Sequence, residues 1–165
     1  MDPVSFQTLL AFNKEMKKLD DVYRNAAKRC GMAPCAFWIL YTLRMEDRSF
    51  TQSEICDFLV EPKQTVNSAL KKLEAEGYLS LRTGDDQRRK CIRLTEKGER
   101  LAKARVDCVA EAEAAALRAM PPEDCAAFVR LTVQYRRLLE ERLIHGEENN
   151  QGGNPPRSGC GDHQE

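Results

Sequence analysis

The sequence lacks the marks of several large protein classes. It has no run of 18 apolar residues, which a membrane-spanning helix requires, and its first residues do not pair a basic segment with an apolar one, as a secretory signal does. We therefore expect a cytoplasmic chain with no membrane partner. A Gly-rich phosphate loop is also absent, and the only two histidines argue against a zinc site of the usual spacing.

The seven cysteines are an odd number, and no two of them are spaced as Cys-x-x-Cys. In a reducing compartment they should be mostly free thiols. A thiol redox enzyme is therefore disfavoured, and we expect neither enzymatic activity nor a metal or other cofactor. Cys30 and Cys35 bracket a predicted turn and could lie close together as a redox site, with Lys28 and Arg29 lowering the pKa of Cys30. The commoner role of such a cysteine is that of a small buried apolar residue.

Charge of one sign is not in excess over the whole chain, because 26 basic residues balance 26 acidic ones. The distribution along the chain is uneven. Residues 62–94 contain eight basic and four acidic side chains, whereas the segments on either side are both net negative. Such a local excess of positive charge is typical of a surface that binds a polyanion.

Helical periodicity dominates the first 76 residues. An amphipathic helix is predicted over 5–29, and a helix that is apolar on nearly all sides, and so buried, over 34–45. Thr51 and Glu54 have the spacing of a capping box at the start of a short helix, in which Ile55, Phe58 and Leu59 should point inward. Pro62 suits the start of a fourth helix that ends before Gly77. Two short helices joined by so tight a turn form a helix-turn-helix.

Alternation of apolar and polar residues then predicts a hairpin. Its strands are expected at 79–83 and 91–94, with the turn-forming residues 84–87 between them. One long helix is predicted over about 96–119, and a last helix from Pro122 to about Ile144. From Gly146 onward the composition is typical of a disordered tail.

The fourth helix combines an apolar face with a small polar one. Val66, Leu70 and Leu73 recur at helical spacing and should face the core. Glutamine and asparagine can pair with adenine edges, serine and threonine can donate or accept, and lysine suits phosphates. The candidate DNA-binding residues on this helix are Lys63, Gln64, Thr65, Asn67, Ser68 and Lys71. Taken alone, such a polar stripe fits the solvated face of an ordinary helix equally well.

The hairpin and the residues after it resemble the MarR (multiple-antibiotic-resistance regulator) family of bacterial transcription regulators. The family's wing motif is Asp-x-Arg, an apolar position, and Leu-Thr-x-x-Gly, which here is met by Asp86, Arg88, Ile92 and the segment 94–98. The resemblance covers roughly residues 34–119. It implies a mainly α fold with a small β-wing, a winged helix-turn-helix flanked by N- and C-terminal dimerisation helices.

The resemblance also assigns roles to single residues of the wing. Arg88 would enter the minor groove, whose negative potential favours an inserted guanidinium, and Asp86 would orient it. Ile92 and Leu94 would hold the wing against the core, Thr95 would cap the next helix, and Gly98 would allow a close approach of two backbones. The candidate DNA-binding residues of the wing are Asp86, Arg88, Arg89 and Lys90.

These expectations divide the chain into four parts: a dimerisation helix (1–32), the DNA-binding domain (33–98), C-terminal dimerisation helices (99–145) and a disordered tail (146–165). The predicted partners are double-stranded DNA with a pseudopalindromic operator, a second copy of the chain, and a small, often aromatic effector. Candidate effector-lining residues are Phe12, Tyr23, Trp38, Tyr41 and Arg44. The function implied is that of a ligand-responsive repressor; alternatives are a winged-helix module for protein contacts and a cysteine-based redox-sensing regulator.

Overall fold

A computed structural model describes residues 2–83 and 90–150 of the chain, with the backbone alone at 82, 83, 90 and 145–150. Within these ranges the helices and strands follow one another along the chain in the order α1 Pro3–Arg29, α2 Pro34–Glu46, α3 Gln52–Leu59, α4 Lys63–Ala75, β1 Leu79–Thr83, β2 Lys90–Leu94, α5 Glu96–Arg105, α6 Asp107–Arg118 and α7 Pro122–Asn150. The predicted fold class, mainly helical with a small two-stranded sheet, is confirmed.

The hydrophobic core is centred on α2, as its apolar sequence predicted. Phe37, Ile39 and Leu40 of this helix are fully buried. They pack in one cluster with Val66 and Leu70 of α4 and with residues of α3, β1, β2 and α5. Burial of Val66, Leu70 and Leu73 confirms the predicted inner face of α4.

The small sheet has one more connection than the hairpin itself. Strands β1 and β2 pair antiparallel, with Leu79 opposite Leu94 and Leu81 opposite Ile92. Phe50, just before α3, forms an isolated bridge with Ile92, through two backbone hydrogen bonds of 3.1 and 2.7 Å. The base of the wing is therefore joined to the start of the helix-turn-helix.

Three predictions about the helices were wrong. The expected helix over 96–119 is two helices, α5 and α6, which are interrupted at Val106. The last helix continues to Asn150 instead of ending near Ile144. Phe58 was expected to point inward, yet its side chain is 54% exposed, because Ile55 and Cys56 fill the inner face of the short helix α3.

The chain divides into two units, residues 1–114 and 115–165. The first contains α1 to α5 and most of α6. The second contains the end of α6 and α7, whose large apolar side chains from Phe128 to Ile144 are mostly exposed. Across the described residues, no helix is long and apolar enough to cross a membrane.

Candidate nucleic-acid interface

Helix α4 is held at its start by a tight turn after α3. Thr51 and Glu54 form the predicted capping box, in which the Thr51 hydroxyl accepts from the Glu54 backbone at 3.2 Å and the Glu54 carboxylate accepts from the Thr51 backbone at 2.7 Å. Val60 ends α3 in the left-handed conformation, with φ of 52°. Pro62 is the N-cap of α4, and its carbonyl accepts from the Val66 N–H. The capping box thus fixes the start of α3, and Val60 and Pro62 mark the turn between α3 and α4.

The exposed face of α4 is polar and free of acidic groups in its first turn. Gln64, Ser68 and Lys71 recur at helical spacing on the side opposite Val66 and Leu70, and all three are exposed. Lys63 and Thr65 are exposed at the start of the helix, and Asn67 is half-buried at the edge of the stripe. All six predicted side chains of this helix therefore reach its outer surface. The partial positive charge at the helix start and Lys63 both favour an anion there.

Ser68 has part of its hydrogen-bonding capacity already in use. Its hydroxyl donates to the Gln64 carbonyl at 2.9 Å. The oxygen lone pairs remain, so that toward a ligand Ser68 can act as an acceptor. A base-edge amino group is a partner of that kind.

The base of the wing is fixed by residues of the predicted motif. Ile92 is buried, and Leu94 packs against the core. Thr95 caps α5, because its hydroxyl accepts from the Gly98 N–H at 3.0 Å and donates to the Gly77 carbonyl at 2.7 Å. Gly98 is buried against the backbone of Tyr78, where a Cβ atom would overlap with the carbonyl oxygen. The predicted structural roles of Ile92, Leu94, Thr95 and Gly98 are confirmed. The wing-tip candidates Asp86, Arg88 and Arg89, and the side chain of Lys90, lie outside the described residues.

Three of the proposed effector-lining residues form one aromatic cluster. The ring centroid of Trp38 is 5.2 Å from that of Tyr23 and 5.2 Å from that of Tyr41. The Tyr41 hydroxyl donates to the Glu113 carboxylate at 2.5 Å. Burial, and next a hydrogen bond with Glu113, raise the pKa of Tyr23 to about 12, and the same causes raise the pKa of Tyr41. Both hydroxyls therefore remain protonated, and that of Tyr41 is the donor to the Glu113 carboxylate.

The other two effector candidates lie elsewhere. Phe12 precedes Tyr23 by about three turns of α1, roughly 16 Å along the helix axis. Arg44 binds Asp107 through two parallel hydrogen bonds of 3.0 Å and Glu99 through one of 3.1 Å. Its guanidinium therefore connects α2 to α5 and α6, and its positive charge is already matched by two carboxylates.

The two cysteines proposed as a redox site have different neighbours. The Cys30 thiol, at the end of α1, donates to the Arg105 carbonyl at 2.9 Å. Burial raises the pKa of Cys30, so the lowering expected from Lys28 and Arg29 was wrong. Cys35, in α2, lies near Cys56 and Glu61. Its pKa is raised, mainly by burial and to a lesser extent by the charges of Glu61 and Cys56.

Sequence reasoning missed the partners of Tyr41 and Arg44. Glu113 follows Val106, Val109 and Ala110 at helical spacing, and all four are at least partly buried. An acidic residue on an inward-facing stripe was a readable signal for a hydrogen-bonded group. Asp107 had no such signal, because it lies in the unpredicted first turn of α6.

Comparison with known proteins agrees with this architecture. Residues 36–98 match the family described as "Winged helix DNA-binding domain". An uncharacterized HTH-type transcriptional regulator of Bacillus subtilis, YwoH, is 34% identical over 70 residues, which are 42% of this chain and half the length of YwoH. The chain thus matches only half of this curated relative.

Solved structures extend the likeness beyond the DNA-binding domain. NMB1585, a MarR family regulator from Neisseria meningitidis, matches with a TM-score of 0.71 and 24% identity, over 86% of this chain and 98% of that one. A MarR/EmrR family regulator from Acinetobacter sp. ADP1 matches with a TM-score of 0.66 and 20% identity, over 85% and 99%. The resemblance inferred from the wing motif is confirmed: the chain contains a winged helix DNA-binding domain and has the fold of the MarR family transcription regulators.

Proposed function

We propose that the chain is a sequence-specific DNA-binding transcription regulator that acts as a homodimeric repressor. The observation that carries this proposal is the outer face of α4. It presents Gln64, Ser68 and Lys71 opposite a fully buried apolar face, in a domain that also has a wing. A helix of this kind can enter the major groove of B-form DNA, while the wing contacts the flanking groove.

The side chains of α4 divide by the part of DNA that each can bind. Gln64, Asn67 and Thr65 read base edges, and Ser68 accepts from a base amino group. Lys63 and Lys71 bind phosphates and set the register of the helix without reading sequence. In the wing, Arg88 with Arg89 and Lys90 binds the minor groove and its phosphates, and Asp86 orients Arg88.

A homodimer is supported by apolar side chains that the chain leaves exposed. Helix α1 exposes Leu10, Met16 and Leu19, and α7 exposes Leu131 and Leu138 among others. Exposed apolar side chains in such number usually mark an interface. Two copies would place two α4 helices about one helical turn of DNA, roughly 10 base pairs, apart, which requires a pseudopalindromic operator.

A small aromatic effector is the proposed control signal. The cluster of Tyr23, Trp38 and Tyr41 supplies aromatic faces, and the Glu113 carboxylate supplies an acceptor next to them. In one conformation of the dimer the two α4 helices would be spaced wrongly for the operator. An effector that binds this conformation more tightly than the DNA-binding one lowers the affinity for DNA, by an amount set by its difference in affinity for the two conformations. Isothermal titration calorimetry with phenolic compounds, run on the wild type and on Trp38→Leu, tests effector binding separately from DNA binding.

The test of DNA binding is a fluorescence-anisotropy titration of the full chain with the DNA upstream of its own gene, at several salt concentrations. Lys71→Ala should weaken binding and reduce the slope of log K against log salt by about 1, because one phosphate contact is lost. Lys72→Ala is the matched control, since it removes the same charge from the next position of α4, off the stripe.

Gln64→Ala and Asn67→Ala test sequence reading. Each should reduce the preference for operator over unrelated DNA by about 1–3 kcal/mol and leave the salt slope unchanged. If the chain binds no DNA at low salt, the proposal fails and a role in protein contact replaces it. Equal losses for Lys71→Ala and Lys72→Ala would contradict a specific phosphate contact by Lys71, and an unchanged preference for operator DNA in both Gln64→Ala and Asn67→Ala would contradict base reading by α4.

A further inference from the structure

The Ser68 hydroxyl is restricted in what it can bind, because its proton is already used. Ser68 lies one helical turn after Gln64 on the exposed face of α4, and its hydroxyl donates to the Gln64 carbonyl at 2.9 Å. A serine hydroxyl has one proton and two lone pairs, so that only acceptor capacity remains toward a ligand. In the major groove adenine and cytosine each offer an amino donor, whereas guanine and thymine offer acceptors alone. Ser68 is therefore complementary to adenine or cytosine, and it would meet guanine or thymine acceptor against acceptor.

The Gln64 side chain is complementary to a narrower target. It is exposed, and among the described residues its amide has no hydrogen-bond partner. A carboxamide has an acceptor and a donor side by side, which together match N6 and N7 of adenine. Asn67 has the same group but is half-buried at the edge of the face, so that Gln64 has the greater reach.

The side chains that most often select a G·C pair are absent from this part of α4. Residues 63–73 contain no arginine, which is the commonest reader of guanine, and no acidic residue, which would accept from cytosine. Lysine can also bind guanine, but the lysines lie at the helix start or about two turns after Gln64, at Lys63, Lys71 and Lys72. The centre of the exposed face therefore offers amides and hydroxyls alone.

We propose that Gln64 reads an adenine in each half-site and that Ser68 excludes guanine and thymine from a position within two base pairs of it. This inference rests on the proposed function and names the bases that α4 recognises. Gln64 and Ser68 are four residues apart, about 6 Å along the helix axis, and successive bases of a strand are about 3.4 Å apart. The two side chains can therefore contact neighbouring base pairs at the same time. Gln64 selects by pairing, whereas Ser68 selects by the unfavourable contact that the wrong base would make.

The experiment selects duplexes from a random-sequence DNA library by repeated binding to the full chain, and sequences them for the wild type and each variant. Each wild-type half-site should contain an adenine whose enrichment falls about tenfold or more in Gln64→Ala. A position at most two base pairs away should admit adenine and cytosine on one strand. Ser68→Ala should admit all four bases there, whereas Ser68→Thr, whose hydroxyl can make the same bond to the Gln64 carbonyl, should keep the exclusion. Lys71→Ala is the matched control, and it should bind every sequence more weakly with unchanged base preferences.

A modified base tests the Gln64 contact at the level of single atoms. In the selected duplex, 7-deazaadenine in place of the adenine removes the N7 acceptor and should weaken wild-type binding about fivefold. The same duplex should bind Gln64→Ala no more weakly than the unmodified one does, because the partner of N7 is already lost. Guanine or cytosine at the position that Gln64→Ala relaxes, base preferences that neither variant changes, or independent losses from the variant and the modified base would each overturn the proposal. A wild-type chain that enriches no duplex would overturn the proposed function as well, so that the two failures are distinguishable.

Discussion

Gly98 packs against the carbonyl of Tyr78 so closely that no side chain fits between them. The contact joins the start of α5 to the residue that follows the α4 turn. Gly98→Ala would force these two backbones apart, and we expect the free energy of unfolding to fall by about 2–3 kcal/mol. Urea denaturation measures this change. Glu96→Ala, at a fully exposed position of the same turn, should be close to neutral; similar losses in both variants would argue against the close contact.

Thr95 should contribute to stability through its hydroxyl. Thr95→Ala removes the cap of the Gly98 N–H and the bond to the Gly77 carbonyl, which should cost about 1–2 kcal/mol. Thr95→Ser keeps both bonds and should restore most of the loss. Thermal melts of the three proteins decide the point, and a serine variant as unstable as the alanine variant would assign the role to the methyl group instead.

The ion pair of Arg44 and Asp107 should make stability depend on pH. Hydrogen bonds from Arg44 hold the pKa of the Asp107 carboxyl below its ordinary 3.8. Because the folded pKa is the lower one, the contribution is present above about pH 4 and is lost as the pH falls through the folded value. Urea midpoints from pH 6 to pH 2.5 should therefore fall less steeply in Asp107→Asn than in the wild type. Parallel curves would show that Asp107 is not the group responsible.

Val60 adopts a backbone conformation that suits glycine. Its φ of 52° is unfavourable for a β-branched residue, and its side chain is 88% exposed, so little packing offsets the strain. Val60→Gly should raise the free energy of unfolding by about 1 kcal/mol. Asp47 has a similar φ of 45°, but aspartate tolerates this region, so Asp47→Gly should change stability less. If Val60→Gly is less stable than the wild type, the valine side chain must make a contact that contributes more free energy than the backbone strain costs.

Thr42 places a hydroxyl in the apolar core. Its side chain is buried, and among the described residues its oxygen has no hydrogen-bond partner. Thr42→Val keeps the shape and removes the unsatisfied group, and should stabilise the protein by about 1 kcal/mol. Thr42→Ser retains the hydroxyl and loses a methyl group, so it should destabilise. Guanidinium unfolding curves of the two variants measure both changes in the free energy of unfolding. Equal effects of the two substitutions would indicate that a bridging water satisfies the Thr42 hydroxyl.

The sequence was most informative where local chemistry determines structure. The capping box at Thr51 and Glu54, the inner face of α4 and the cap by Thr95 follow from helix spacing and from bonds within a few residues, whereas the close approach at Gly98 was implied only by the resemblance to the family. The break at Val106 could not be read in this way, because neither glycine nor proline marks it. It coincides with contacts from distant elements: Arg44 to Asp107, and Cys30 to the Arg105 carbonyl.

The end of α4 is bound to the start of α5 at three places. Thr95 donates to the Gly77 carbonyl, the Lys97 ammonium donates to the Glu76 carbonyl at 2.7 Å, and Gly98 lies against Tyr78. At Gly98 no side chain separates the two backbones, so this contact leaves little room for one helix to shift against the other. A tilt of α5 would therefore move the end of α4, and with it the exposed polar face of that helix.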